Sequence, residues 1–336
     1  MDLKTLTEIN APSGHEQAIR RVLLDELKKL GFAPVLDRMG NVVVVKDGTG
    51  DAPRKRVMVS AHMDEVGLIV TSATEDGYLR IAAAGGIDPR VLVSKRVTVG
   101  EDKLPGVIGA VPIHLQSAAE RKHVLSMDEL LVDIGAKNKD EAERKAPMGT
   151  YISFDTPYVE YGDGFACGKA FDDRVGCLSL LRLLQEELPV DLVACFVSEE
   201  EVGCRGAKGA AFQQEPDVGI VLEGTTCNDL GDVPETAHVC EAGQGVAVSF
   251  MDGASIANRA LFRKALNVAK QENIPHQVKH SVSGGNDGGA IQRAREGVPV
   301  VVLSVPCRYI HSPSSVVKLS DVESQFALVK ALVKAL

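Results

Sequence analysis

Apolar residues recur along this chain in two rhythms, and the rhythm changes twice. Ser13-Gly14-His15-Glu16 has the spacing of a capping box, in which the Ser side chain accepts from the backbone and the Glu reaches back. Behind it, Ala18, Ile19, Val22, Leu23, Leu24 and Leu27 recur at helical spacing. Asn41-Val42-Val43-Val44-Val45 and Val57-Met58-Val59-Ser60 are unbroken apolar runs rich in β-branched residues, as expected of strands covered on both faces. From about Gly67 to Gly162 the texture changes. Short runs such as Leu68-Ile69-Val70, Arg96-Val97-Thr98-Val99 and Gly106-Val107-Ile108-Gly109 are broken by Gly, Pro and Asp, which predicts a β-rich, barrel-like unit. A helical stretch over 126–131 and an acidic-basic stretch over 137–145 interrupt it. After Gly168 the first rhythm returns. It predicts helices over 174–188, 258–273 and 321–336, and strands over 191–197, 218–222 and 298–305.

Strand–helix–strand repetition argues an α/β fold with a mostly parallel, doubly wound sheet. Residues 1–66 and 163–336 are expected to form this domain, and residues 67–162 read as an inserted small all-β domain. The chain has 336 residues, 45% of them hydrophobic, enough for a sizeable core. Trp is absent and aromatics are 4%, so stacking on bases or sugars has little support. The net charge of −9, with no Lys/Arg run of five, speaks against a nucleic-acid partner. No apolar run is long enough to span a bilayer, and the first residues lack a signal pattern. The expectation is a soluble cytoplasmic protein. The seven Cys are odd in number and form no CxxC pair, which fits reduced, mostly buried thiols rather than a disulfide framework.

The chemistry lies in five short segments. They are Ala61-His62-Met63-Asp64-Glu65, Phe171-Asp172-Asp173-Arg174, Glu199-Glu200-Glu201-Val202-Gly203, Leu222-Glu223-Gly224 and Tyr309-Ile310-His311-Ser312. Each has a bland reading when taken alone: a strand-end His, a capped helix start, a solvated acidic loop, an exposed acid, a loop His. Most follow directly on predicted strands, where ligands bind in open α/β sheets. One metal centre explains all five with a single cause. Two His plus three carboxylates suit zinc, cobalt or manganese rather than an all-oxygen calcium site. Two such metals about 3.5–4 Å apart can activate a water and clamp both oxygens of a displacement. Of His62 and Asp64, one can bind metal while the other orients it. Asp172 is placed to bridge both metals. Of two adjacent Glu in a turn, one can bind metal while its neighbour takes a proton.

Together these segments resemble the signatures of the tetrahedral and glutamyl aminopeptidases, a family of di-zinc exopeptidases. Glu223 with Asp229 six residues on, Arg308-Tyr309-Ile310-His311-Ser312-Pro313 and Leu131-Val132-Asp133-Ile134-Gly135-Ala136-Lys137 carry the resemblance further, from Ser13 to the C-terminus. It implies that His62 binds one metal and His311 the other, that Asp172 bridges them, and that Glu201 and Glu223 complete the two sets. It implies Glu200 as general base and Asp64 as the residue that orients His62, with a cis peptide after the bridging Asp. The implied reaction removes N-terminal residues from short peptides with two divalent metals per chain, zinc first and cobalt or manganese as alternatives. Relatives assemble through the inserted domain into tetrahedral dodecamers, so a homo-oligomer is expected. An N-acyl hydrolase, a cellulase-like activity and a non-catalytic metal-stabilised assembly are the competing readings. A glutamyl preference would need a cation in the specificity pocket. Lys169, Arg205 and Arg308 lie near the motif segments, and ordinary ion pairing is the plainer account of each.

Overall fold

The long apolar strands assemble into one twisted sheet, and a computed structural model describes this and the rest of the chain over all 336 residues. Across the sheet the strands run Val35–Leu36, Val42–Lys46, Asp191–Val197, Arg56–His62, Val218–Thr226, Val300–Arg308, Ser315–Lys318, Phe165–Gly168 and Val159–Tyr161. The sheet is mixed. Its middle, from Asp191–Val197 through Arg56–His62 and Val218–Thr226 to Val300–Arg308, is parallel. Both flanks turn antiparallel. Two further strands lie off this path: Val246–Ser249 pairs with Val300–Arg308, and His276–Val278 runs parallel beside it.

Burial on both faces explains the unbroken apolar runs. Val57, Val59 and Ala61 point to one side, where helices Gln17–Lys29, Phe171–Leu183, Arg259–Gln271 and Leu319–Lys334 supply Ile19, Leu180, Leu261 and Leu328. Met58 points to the other side with Val193 and Cys195. The helices there, Arg205–Gln214 and Asp287–Gln292, present mainly Ala and Gly to the sheet and so approach it closely.

Six antiparallel strands close a separate barrel between Gly67 and Phe154. Their order is Gly67–Ala73, Leu79–Ala84, Leu131–Asp133, Leu104–Gly109, Arg96–Val99 and Tyr151–Phe154. Period-two alternation sends Leu68, Val70, Leu79, Ile81, Val97, Val99 and Ile152 into a core of its own. Closure removes exposed sheet edges, which suits a small β unit. The Val159–Tyr161 strand, on the insert side of the boundary expected at residue 162, pairs instead with Phe165–Gly168 in the large sheet.

Three local expectations change. Glu16 does cap backbone, but at Gly14, whose N–H donates to it over 2.6 Å, and it also pairs with Arg20; the Ser13 hydroxyl has no partner, so no reciprocal box forms. The helical stretch expected over 126–131 is a single 3₁₀ turn, Met127–Glu129, because Leu131 is taken by the barrel ladder. The strand expected to end at Leu222 runs on to Thr226, since its pairing with Val300–Arg308 continues. No helix is long and apolar enough to cross a membrane.

Candidate metal centre

The parallel strands bring four of the five segments to one end of the sheet. His62 is the last residue of Arg56–His62, Glu223 lies near the carboxyl end of its strand, and Glu200–Glu201 and His311 follow the ends of theirs. Asp172 opens the helix Phe171–Leu183, with non-helical backbone at Asp172 and Asp173 and a cis peptide between them. Four residues beside or within these segments, Ala170, Glu199, Tyr309 and His311, hold left-handed backbone with φ of 55–58°. Non-glycine residues adopt this region at a cost, and such strain collects at functional sites.

The side chains converge around Asp172. Its Oδ1 lies 3.4 Å from His62 Nε2, and Glu223 Oε2 lies 3.5 Å from the same nitrogen. Its Oδ2 lies 3.5 Å from His311 Nε2, which is 3.3 Å from Glu201 Oε2. Asp172 thus turns one oxygen to each of two triads. Ligating atoms of His62, Asp172 and Glu201 all fall within 4.8 Å of one another. His62 Nε2 and Glu223 Oε1 are buried and have no hydrogen-bond partner. An unpaired buried polar atom is costly, and two of them among carboxylates and imidazoles fit a cation.

Neighbouring groups aim these side chains. His62 Nδ1 approaches the Asp64 carbonyl at 3.1 Å and its carboxylate at 3.5 Å, leaving Nε2 to face the cluster. The Asp64 carboxylate also accepts the backbone N–H groups of Glu200 and Glu201, each at 3.1 Å. Asp173 accepts the N–H of His62 at 3.1 Å and that of Gly176 at 2.9 Å. His311 Nδ1 sits 2.9 Å from the carbonyl of Gly86, which belongs to the inserted unit. Such partners fix ring orientation at metal sites.

The charges follow from burial. Desolvation pushes Glu201 up to about 8 and Glu223 up to about 7. It also pushes Glu200 well above the carboxylate range. Burial works against the charged form of His62, but Asp172, Asp64 and Glu223 outweigh it and raise the imidazole well above 6.5. Burial opposes His311 likewise, and Asp172 and Glu201 carry it up to about 9. Asp172 is the exception: the two imidazoles overcome its burial and hold it below the usual range.

Glu200 stands apart from both triads. It lines a cavity of about 400 Å³ with Asp172, Glu223 and His311. Its neighbour Glu199 is engaged outside the cluster, in a pair with Arg205 at 3.1 Å. The three candidate cations are engaged elsewhere. Lys169 is buried against Glu65 at 2.8 Å, Arg205 holds Glu199, and Arg308 makes a two-pronged pair with Asp229 at 2.8 Å. Two residues of the site escape the sequence reading. Asp287 is fully buried, neither carboxylate oxygen has a partner, and it approaches Glu200 and Cys204 within 4.8 Å. Lys279 lines the same cavity. The run Gly284-Gly285-Asn286-Asp287-Gly288-Gly289, an acid amid glycines, is the one signal that marks Asp287.

The family model for M42 glutamyl aminopeptidases matches residues 40–328. The chain belongs to this family. A putative aminopeptidase of Acetivibrio thermocellus is 35% identical over 99% of this chain and 97% of its own. The structure of an aminopeptidase from the archaeon Desulfurococcus kamchatkensis superposes with a TM-score of 0.93 at 33% identity, covering 99% of this chain and 94% of that one. The TET1 peptidase of Pyrococcus horikoshii, which can assemble into a tetrahedron or a large octahedral shell, gives 0.87 at 33% identity, covering 99% and 98%. This M42 protein is an enzyme, an aminopeptidase that hydrolyses peptides.

Proposed function

We propose that the chain is a dinuclear metal aminopeptidase that releases N-terminal residues from short peptides. The observation that carries this is the pair of triads sharing Asp172, one built with His62 and Glu223 and the other with His311 and Glu201. Mixed imidazole and carboxylate donors favour zinc, with cobalt or manganese as alternatives. When bound, two such cations polarise a scissile carbonyl and lower the pKa of a water.

The chain's own residues do the rest. Asp64 holds His62 in register and anchors the turn that carries Glu200 and Glu201. Glu200, free of both triads and facing the cavity, takes the proton from the attacking water and passes it to the departing amine. The carboxylates facing the cavity offer a natural counter-charge to the free amine of a peptide.

The test is release of free amino acids from a mixed peptide library. Stepwise loss from the N-terminus, abolished by chelation and restored by zinc, cobalt or manganese, is expected. A sample with two metals per chain that leaves peptides intact but cleaves N-acetyl amino acids would point to an N-acyl hydrolase instead.

We also propose a homo-oligomer built through the barrel, of the tetrahedral dodecamer type. Its segment between Leu104–Gly109 and Leu131–Asp133 exposes Val111, Ile113, Leu115 and Val124, large apolar residues that a monomer leaves in water. Light scattering should give about twelve times the 35.8 kDa of one chain; a monomer at micromolar concentration sinks the proposal.

A further inference from the structure

We propose a third cation site in this enzyme, built by Glu200, Cys204 and Asp287, which takes a soft or borderline divalent cation such as cadmium or zinc and switches turnover off when filled. The inhibition rests on Glu200 acting as base in the aminopeptidase reading; the binding stands without it. Ligand atoms of the three residues lie within 4.8 Å of one another. Two of them share one tight turn. Glu200 and Cys204 are four residues apart, and the Glu200 carbonyl accepts the N–H groups of Gly203 at 2.9 Å and Cys204 at 2.8 Å. Their side chains meet, with Cys204 Sγ 3.3 Å from Glu200 Oε1. Asp287 comes from another element. It is the first residue of the helix Asp287–Gln292, and Asn286 before it caps Gly288 and donates to Asp252 at 2.8 Å. The three donors are thus carried by backbone that other contacts already fix.

The observation that points to a ligand is Asp287 itself. Its side chain is fully buried, and neither carboxylate oxygen has a partner. A buried carboxylate without a partner is costly. A proton would neutralise Asp287 and leave Glu200 and Cys204 as they are. A cation among the three satisfies all of them at once. Two ligands on a tetrahedral zinc, with bonds of about 2.0 Å to oxygen and about 2.3 Å to sulfur, stand about 3.5 Å apart. Glu200 and Cys204 already stand close to that spacing. A thiolate donor selects softer cations over magnesium, calcium or manganese. This sets the site apart from the two triads, whose donors are imidazole and carboxylate alone. Binding sends the thiol proton to solvent. The cation enters through the cavity of about 400 Å³ that Glu200 and Asn286 line. Once bound, it occupies the carboxylate that must receive the proton of the attacking water, and turnover stops although both triads remain filled.

The experiment adds cadmium or zinc in steps to enzyme already loaded with two zinc ions per chain. It follows the ultraviolet charge-transfer absorption of a cadmium-bound thiolate, the bound metal by elemental analysis, and peptide release. Neither triad contains sulfur, so exchange of cadmium into them adds nothing to that absorption. Wild type should gain the absorption with one further equivalent. Its turnover should fall at least about tenfold, since a positioned base contributes about 10²–10⁴-fold. Cys204→Ala should show no absorption and should keep, in excess zinc, its own rate at two equivalents. Asp287→Asn should bind the third ion at least about 100-fold more weakly, because loss of even an outer-shell partner costs about 10–100-fold. If Asp287→Asn does not fold, Glu200→Gln makes the same comparison. No absorption in wild type overturns the site. So does absorption that survives Cys204→Ala, which would place the thiolate among the other six cysteines. Unchanged cadmium affinity in Asp287→Asn would reduce the site to a lone thiol and overturn it as well. A third ion that leaves turnover intact overturns the switch. Should the two-zinc enzyme release no amino acid from any peptide, the aminopeptidase reading fails, and the absorption and metal count still decide the site.

Discussion

Replacing Glu200 with Gln is expected to lower kcat by about 10³-fold while metal content stays at two per chain. A positioned general base contributes roughly 10²–10⁴-fold, and the amide can neither accept nor return the proton. Glu200 makes no close contact within either triad; its side chain meets Cys204 Sγ at 3.3 Å and the cavity. The substitution is nearly isosteric, so the backbone N–H that Asp64 accepts should stay in place. Steady-state kinetics with elemental analysis of the same sample checks both halves. Full turnover by a metal-loaded variant would remove Glu200 from the chemistry. Loss of metal together with activity would recast it as a ligand.

The second large effect is on metal affinity, and pH is the variable. In the metal-free cluster, burial lifts Glu201 to about 8 and Glu223 to about 7, and neighbouring carboxylates lift His311 to about 9. At pH 6 these groups carry protons that a cation must displace. Each proton released steepens the binding constant by about tenfold per pH unit. Between pH 6 and pH 8, affinity should therefore rise at least about 100-fold per metal. Folding stability follows with the opposite sign in the metal-free protein. A carboxyl raised by burial stabilises the fold below its unfolded pKa and loses that contribution as pH climbs through 7 and 8. A raised His311 stabilises below 6.5 and loses its contribution toward 9. The melting temperature of the metal-free enzyme should fall over pH 6–9, and the increment from added zinc should grow. Calorimetry in buffers of different ionisation enthalpy would count the protons. A pH-independent affinity would show that the empty cluster is already ionised.

Much of the site can be read without coordinates. His62, Glu200, Glu201, Glu223 and His311 announce themselves because each lies at or just past the end of an apolar run, and the parallel middle of the sheet sends those ends to one side; Asp172 is marked instead by the start of the helix Phe171–Leu183. The strand cores and the main helices are legible for the same reason: burial on one or both faces writes a period into the sequence. What is illegible depends on pairing between distant segments. The antiparallel flanks of the sheet and the continuation of Val218–Thr226 past Leu222 are set by partner strands, not by local pattern. Ser13 matches a capping box, yet Glu16 spends its oxygens on Gly14 and Arg20. Lys279 lies just past a short strand of ordinary composition, and Asp287 is marked only by the glycines around it. Only the fold shows that one cation lacks an acid and that one buried acid lacks a donor.

The Gly86 carbonyl that meets His311 Nδ1 comes from the barrel, while His311 belongs to the large sheet's loops. The insertion is therefore not a detachable module bolted on for assembly. An excised large-sheet half, rejoined across the gap, would keep every proposed metal ligand and still lose the group that aims one of them. Any shift of the barrel, whether from a neighbouring copy or from a loop graft, would be felt at His311 first and at His62 hardly at all. The two cation sites proposed to share Asp172 would then differ in their sensitivity to assembly, and a half-loaded enzyme is the state in which that difference would be visible.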